Sequence, residues 1–134
     1  MKVILDLPAI SAGVVIELDG SWSPATVNAI AASLPIKIKI ERWGDELYSE
    51  PTPIRIGEEN AVREVELFDV AYWPSGRALC FFYGPTPLSS GKKILPYSPV
   101  NLVGKIKEPP RDIASFLQAV QETHIKNRLP AVLR

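Results

Sequence analysis

The chain holds one cysteine, one methionine and one histidine among its 134 residues. A lone cysteine cannot close an internal disulfide, and with one histidine it cannot fill the four-ligand shell of a structural zinc site, so no metal is expected. No apolar run approaches the roughly 18 residues that a membrane-crossing helix requires. Charge of either sign is not in surplus: 15 basic residues balance 15 acidic ones. Binding to nucleic acid needs a basic face against the phosphates, so no such partner is expected. A phosphate loop is missing too, because Gly84 and Gly91 stand too far apart and no Ser or Thr follows Lys92. Repeats, low-complexity tracts and linkers are absent, and Met1-Lys2-Val3-Ile4-Leu5-Asp6 meets an acid too early for a signal peptide. The expectation is a cytoplasmic protein of one domain, residues 1–134, without cofactor or membrane partner. At this length roughly 68% of the unfolded surface can be buried, so one core suffices without staples.

What is present is apolar strand sequence punctuated by proline and glycine. The run from Asp69 to Pro87 reads as strand, tight turn, strand, with Pro74-Ser75-Gly76 supplying turn chemistry and glycine the positive backbone angle. Val70 to Trp73 and Ala78 to Tyr83 do not alternate with polar residues, so both faces of this hairpin should be covered. Ile36-Lys37-Ile38-Lys39-Ile40-Glu41 alternates cleanly and should turn its isoleucines to a core. Lys2 to Leu7 and Gly13 to Leu18 form an opening pair; Leu47 to Ser49, Ile54 to Ile56, Val100 to Ile106 and Leu129 to Leu133 read as further strands. Ser23 stands at an N-cap position, Pro24 at the first helical one, and Trp22 with Val27 as a hydrophobic staple. That helix carries Val27, Ile30, Ala31 and Leu34 before Pro35, and a second, opened by Pro109-Pro110, carries Ile113, Phe116, Leu117 and Val120.

Between Val65 and Tyr72 the apolar set moves from odd to even positions. A β-bulge near Phe68 and Asp69 accounts for the reversal, since one extra residue turns every later side chain over. Many short strands with a helix near each end predict a mainly β fold, an eight-stranded closed β-barrel capped by two helices, which leaves no exposed edges. Gly84 to Ser98, rich in proline, glycine and serine, should be a surface loop, and such loops often carry sites.

Ser23-Pro24-Ala25-Thr26-Val27-Asn28 resembles the Ala-Pro-x-Thr-Val-x-Asn opening of the first cyclophilin helix. Gly76 to Pro87 is similar to its Gly-x-Leu strand and Gly-Pro loop, and Val103-Gly104-Lys105-Ile106 to its Phe-Gly-Lys-Val. The chain more closely resembles a family of small prokaryotic cyclophilin-like proteins of unestablished function. Its motifs match Trp43 to Tyr48, Asp69 to Cys80 and Val100 to Lys105, with Phe68 standing where that family commonly has glycine. The match covers Lys2 to about Val120, and the tail beyond Thr123 has no counterpart. The resemblance implies the same capped eight-stranded barrel. It does not imply catalysis, because the cyclophilin Phe-His-Arg-Val-Ile motif, whose arginine hydrogen-bonds the prolyl amide, is missing. Ile36 to Tyr48 holds one arginine, Arg42, in a connection rather than mid-strand.

Three functions follow as expectations. The first is binding of an extended peptide or small ligand, including a protein partner's segment, on the barrel wall, with isomerase activity weak or absent. Trp43, Tyr48, Phe82 and Thr86 are the candidate ligand-binding residues, and Arg42 the cationic donor beside Trp43 and Tyr48. The second is a working peptidyl-prolyl isomerase with Arg42 as its catalytic group. The third is a structural subunit without a groove, of undetermined oligomeric state. Asp69, Trp73, Gly76 and Gly104 are structural candidates, Asp69 by accepting backbone hydrogen bonds at the bulge. Asp45 and Glu46 are adjacent in a turn and point apart, so both read as solvated carboxylates. Cys80 and His124 could form a nucleophilic pair only if folding brought them together.

Overall fold

The computed structural model describes residues 1–122 and 128–134. Its strands are β1 (Lys2–Leu7), β2 (Ala12–Leu18), β3 (Ile36–Trp43), β4 (Glu46–Ser49), β5 (Asp69–Trp73), β6 (Ala78–Phe82), β7 (Asn101–Lys107) and β8 (Leu129–Leu133), with helices α1 (Pro24–Ser33) and α2 (Ile113–Glu122). All neighbours pair antiparallel and the sheet closes on itself in the order β1-β2-β7-β5-β6-β4-β3-β8. The mainly β capped barrel read from the sequence is therefore the fold. β8 completes it, with Leu133 opposite Leu5 on β1 and Ile36 on β3. No helix among the described residues is long and apolar enough to cross a membrane.

Strand alternation sets the core. Ile36, Ile38 and Ile40 turn inward and are at most 3% exposed, while Lys37 and Lys39 face solvent. They join Val3, Leu5, Ile16, Leu47 and Leu79 in one interior cluster, to which α1 adds Ile30 and α2 adds Leu117 and Val120. Each such side chain contributes about 1.5–3 kcal/mol by leaving water. A second cluster lies outside the barrel. There Ala71, Cys80 and Phe82 on β5 and β6 are covered by Val65, Ile94 and Val100. Ladder bridges Val62–Val100 and Val65–Ile94 bind the covering segments to each other. This outer layer is why β5 and β6 lack polar alternation: both of their faces are dry.

Local details correct several expectations. On the β5–β7 ladder the register shift lies between Val70 and Ala71, which pair with Gly104 and Leu102, so the extra residue there is Val103 on β7. The move of the apolar set has another cause: Val65 belongs to the outer cluster, whereas Val70 and Tyr72 face the interior. Phe68 adopts φ +70 just before β5, where its N–H donates to the Phe82 carbonyl at 2.7 Å. Gly76 does not take the positive angle of its turn, which falls to Arg77 at φ +51. A Cβ at Gly76 would collide with the Trp73 indole, and that close approach is what requires glycine. Gly104 is needed for a similar reason, since a Cβ there would strike the Glu17 carbonyl on β2.

The Ser23 side chain does not cap α1. The Glu59 carboxylate does, accepting from the Ala25 and Thr26 N–H groups at 3.0 and 2.9 Å. An anion there satisfies two otherwise unpaired donors and suits the helix dipole. Trp22, read as a staple, is 56% exposed. Ile54 to Ile56 is not a strand; Ile54 is buried in a loop and its carbonyl accepts from the Tyr72 hydroxyl at 2.7 Å.

Candidate functional site on the barrel wall

The site grows from the β3–β4 hairpin. Gly44 at φ +61 and Asp45 form a two-residue turn, so Trp43 lies opposite Glu46, Arg42 opposite Leu47 and Glu41 opposite Tyr48. With side chains alternating, Trp43, Glu46 and Tyr48 share the outer face while Arg42 turns the other way with Leu47. Across the next ladder Glu46 pairs with Phe82 and Tyr48 with Cys80, which brings the outer face of β6 beside them.

Arg42 is thus the penultimate residue of β3, not part of a connection, and it is held at the barrel end. Its guanidinium donates to the Gly44 carbonyl at 2.7 Å, Gln121 Oε1 of α2 at 2.9 Å and Asp45 Oδ1 at 3.1 Å. Alternation therefore separates it from the two aromatics with which it was expected to form a pocket.

A pocket exists without it. A solvent-open cavity of about 210 Å³ has Glu46 and Cys80 among its lining, walled by Trp43, Tyr48, Trp73 and Tyr97, with Pro96 and Val100 alongside. Tyr97 meets both indoles edge-on, its ring centre 6.1 Å from that of Trp43 and 5.7 Å from that of Trp73. Such angles make a corner of ring faces rather than a stack. The Trp73 indole N–H is fixed by Ser98 Oγ at 2.5 Å. The loop carrying Pro96 and Tyr97 is tied down by Thr86, whose hydroxyl donates to the Leu95 carbonyl at 2.6 Å, and by Ser89, whose oxygen accepts from the Leu95 N–H at 3.1 Å. Gly44 packs so tightly on Pro85 and Pro87 that no side chain would fit there.

Thr86 and Phe82 do not open on the cavity: the first is buried within the loop and the second lies in the outer cluster. Asp69 stands at the bend into β5, where it accepts the Glu66 N–H at 2.8 Å and pairs with Lys105 at 2.7 Å. Cys80 is buried in the pocket lining, and His124 lies outside the described residues.

The electrostatic centre is Glu46. Sequence reasoning passed over it as a turn carboxylate, and only Asp45 is one. Glu46 is 5% exposed and its Oε1 has no hydrogen-bond partner. Burial pushes its pKa from 4.5 up to about 7, against a smaller opposing effect of a hydrogen bond with Cys80. Burial and the nearby carboxylate push the Cys80 thiol well up. The Tyr48 phenol is held at about 12 by burial and by its neighbour Glu41. A signal for Glu46 was present, because a two-residue turn at Gly44-Asp45 puts positions 43, 46 and 48 on one face. Tyr97 had none, since its approach depends on loop closure. No group of three His, Cys, Asp or Glu residues that could hold a metal ion occurs among the described residues.

A closed antiparallel barrel with a helix near each end and a recess on its wall defines a class of β-barrel domain. The chain belongs to the cyclophilin-like family, whose model matches residues 1–126. The solution structure of the hypothetical protein AF2241 from Archaeoglobus fulgidus is 38% identical, with 100% of this chain and 93% of that one covered at a TM-score of 0.76. The structure of McbB in complex with tryptophan is similar in fold alone, at 15% identity, 98% and 44% coverage and a TM-score of 0.71. No curated protein matches.

Proposed function

We propose that this protein is a binding domain that takes a small ligand, or one side chain of an extended peptide, in the recess of its barrel wall, with isomerase activity weak or absent. The observation that carries this reading is the open cavity of about 210 Å³ with aromatic walls. A cavity of about 150 Å³ accommodates benzene, so this one suits a group slightly larger than a single ring. Apolar walls with few polar groups are the usual make-up of a ligand site. The reading of weak or absent catalysis is supported by Arg42, whose donors are engaged by Gly44, Asp45 and Gln121 on the side away from the aromatics.

Titration with proline-containing peptides, followed by tryptophan fluorescence and NMR, tests the reading. A localised response at Trp43, Trp73 and Tyr97 is expected, and a response spread over the surface would refute it. A protease-coupled isomerisation assay of the wild type beside Arg42→Ala should give equally slow rates. A fast rate abolished by the substitution would instead establish an isomerase.

A further inference from the structure

We infer that the wall pocket recognises an organic cation, an alkylammonium group either free or ending a lysine-type side chain, seated among Trp43, Trp73 and Tyr97 with Glu46 as its counter-charge. This inference rests on the binding reading above and names the chemistry of its ligand.

A buried carboxylate oxygen without a donor is costly, and native structures rarely leave one so. Glu46 Oε1 is such an atom, and Glu46 is among the residues that line an open cavity. Among the described residues no lysine, arginine or histidine lines that cavity, so a cationic partner for Glu46 would come with an occupant. The walls narrow the choice. Indole and phenol faces attract cations through the ring quadrupole, most strongly where water is excluded. A hard metal ion requires several oxygen ligands, which one carboxylate among rings does not supply. A monovalent alkylammonium needs one anion and ring faces rather than a shell of oxygens, and the cavity's size suits a head group of a few carbons.

The pairing couples binding to pH. The other titratable groups facing Glu46 are Tyr48 on β4, Cys80 on β6 and Tyr97 in the covering loop; β3 contributes Trp43. Beyond Tyr48, Glu41 is engaged by Arg128 at 3.4 Å, and Asp45 turns toward Arg42. Tyr48 and Cys80 both titrate far above neutrality, so Glu46 is the lining group that ionises near pH 7. A cation selects the ionised form, and its affinity therefore climbs with pH.

The test is calorimetric titration of the whole chain with butylammonium, whose head group carries N–H donors, and with 1-butanol as its near-isosteric neutral counterpart. Acetyl-Gly-Lys-Gly-amide forms a further arm, and whether it or butylammonium binds tighter identifies a peptide side chain or a free amine as the source. The inference expects the charged probe to bind at least about tenfold tighter than the isostere. It also expects a gain of roughly thirtyfold between about pH 5.5 and about pH 8, as a group ionising near 7 dictates. Glu46→Gln should abolish the pH dependence and cut the preference to the smaller part that the rings supply. Tyr97→Ala, at an exposed position, should weaken the cation by about fivefold without disturbing the barrel. Equal, pH-independent binding of cation and isostere overturns the inference while leaving the binding reading intact. Silence from every probe, proline-containing peptides included, overturns both.

Discussion

Glu46 makes stability depend on pH in an unusual direction. Burial raises its pKa from 4.5 to about 7, so the folded protein holds this proton more tightly than the unfolded chain does. A group raised on folding stabilises fully below its unfolded value, and that contribution is lost as pH rises through the folded one. The window runs from about pH 4.5 to just past pH 7. At 1.36 kcal/mol per unit of pH the full loss is about 3 kcal/mol, most of it between pH 5 and pH 8. That is a sizeable share of the 5–15 kcal/mol typical of a domain.

Glu46→Gln keeps the shape of the side chain and removes the titration. Urea unfolding of both proteins at fixed points from pH 5 to pH 8 gives two stability profiles, and subtracting one from the other cancels every group they share. The difference should move by roughly 2.5 kcal/mol across that range in favour of glutamine. Parallel profiles would mean that Glu46 is solvated or already paired. A difference that moved the opposite way would mean that Glu46 is stabilised as an anion. Either result refutes the reasoning about residue 46, and with it the counter-charge assigned to the pocket.

Phe68 at φ +70 occupies a region that costs a residue with a Cβ about 1–2 kcal/mol. Its ring also packs edge-on against Tyr83, so the comparison that isolates the backbone is Phe68→Gly against Phe68→Ala, which lose the ring alike. The glycine variant should be the more stable by about 1 kcal/mol in denaturant unfolding, and equal stability would remove the strain argument. Gly76→Ala should destabilise by about 1–3 kcal/mol, because the added methyl meets the Trp73 ring, and should shift the tryptophan emission. An unchanged spectrum and stability would show that the indole has room to move.

The barrel was legible because its signals are local and repeated. Alternation from Ile36 to Ile40, the non-alternating flanks of the Pro74-Ser75-Gly76 turn and the prolines bounding each helix specify strands and helices within a few residues. Contacts of long sequence separation were not legible. Ser23 sits where an N-cap belongs, yet the helix is capped by Glu59, a carboxylate 34 positions beyond Ala25 that no local pattern marks. The move of the apolar set between Val65 and Tyr72 was visible, but its cause was not: Val65 packs in the outer layer and Val70 with Tyr72 in the interior, a difference set by segments far along the chain.

The site divides along the same line. Trp43 and Tyr48 were found, and Arg42 was grouped with them by nearness in sequence. The alternation that made β3 recognisable is what forbids that grouping, once the strand is known to run to Trp43. Counting by twos across a Gly44-Asp45 turn turns Arg42 away and brings Glu46 in. The recess also depends on the loop after β6, which brings Pro96 and Tyr97 to the same wall and is held where Thr86 and Ser89 bond Leu95. Thr86, expected at the ligand, thus acts on the pocket at a distance by holding that loop in place. The recess is accordingly shaped by residues about fifty positions from Glu46, and its chemistry is a property of the folded wall rather than of any short motif.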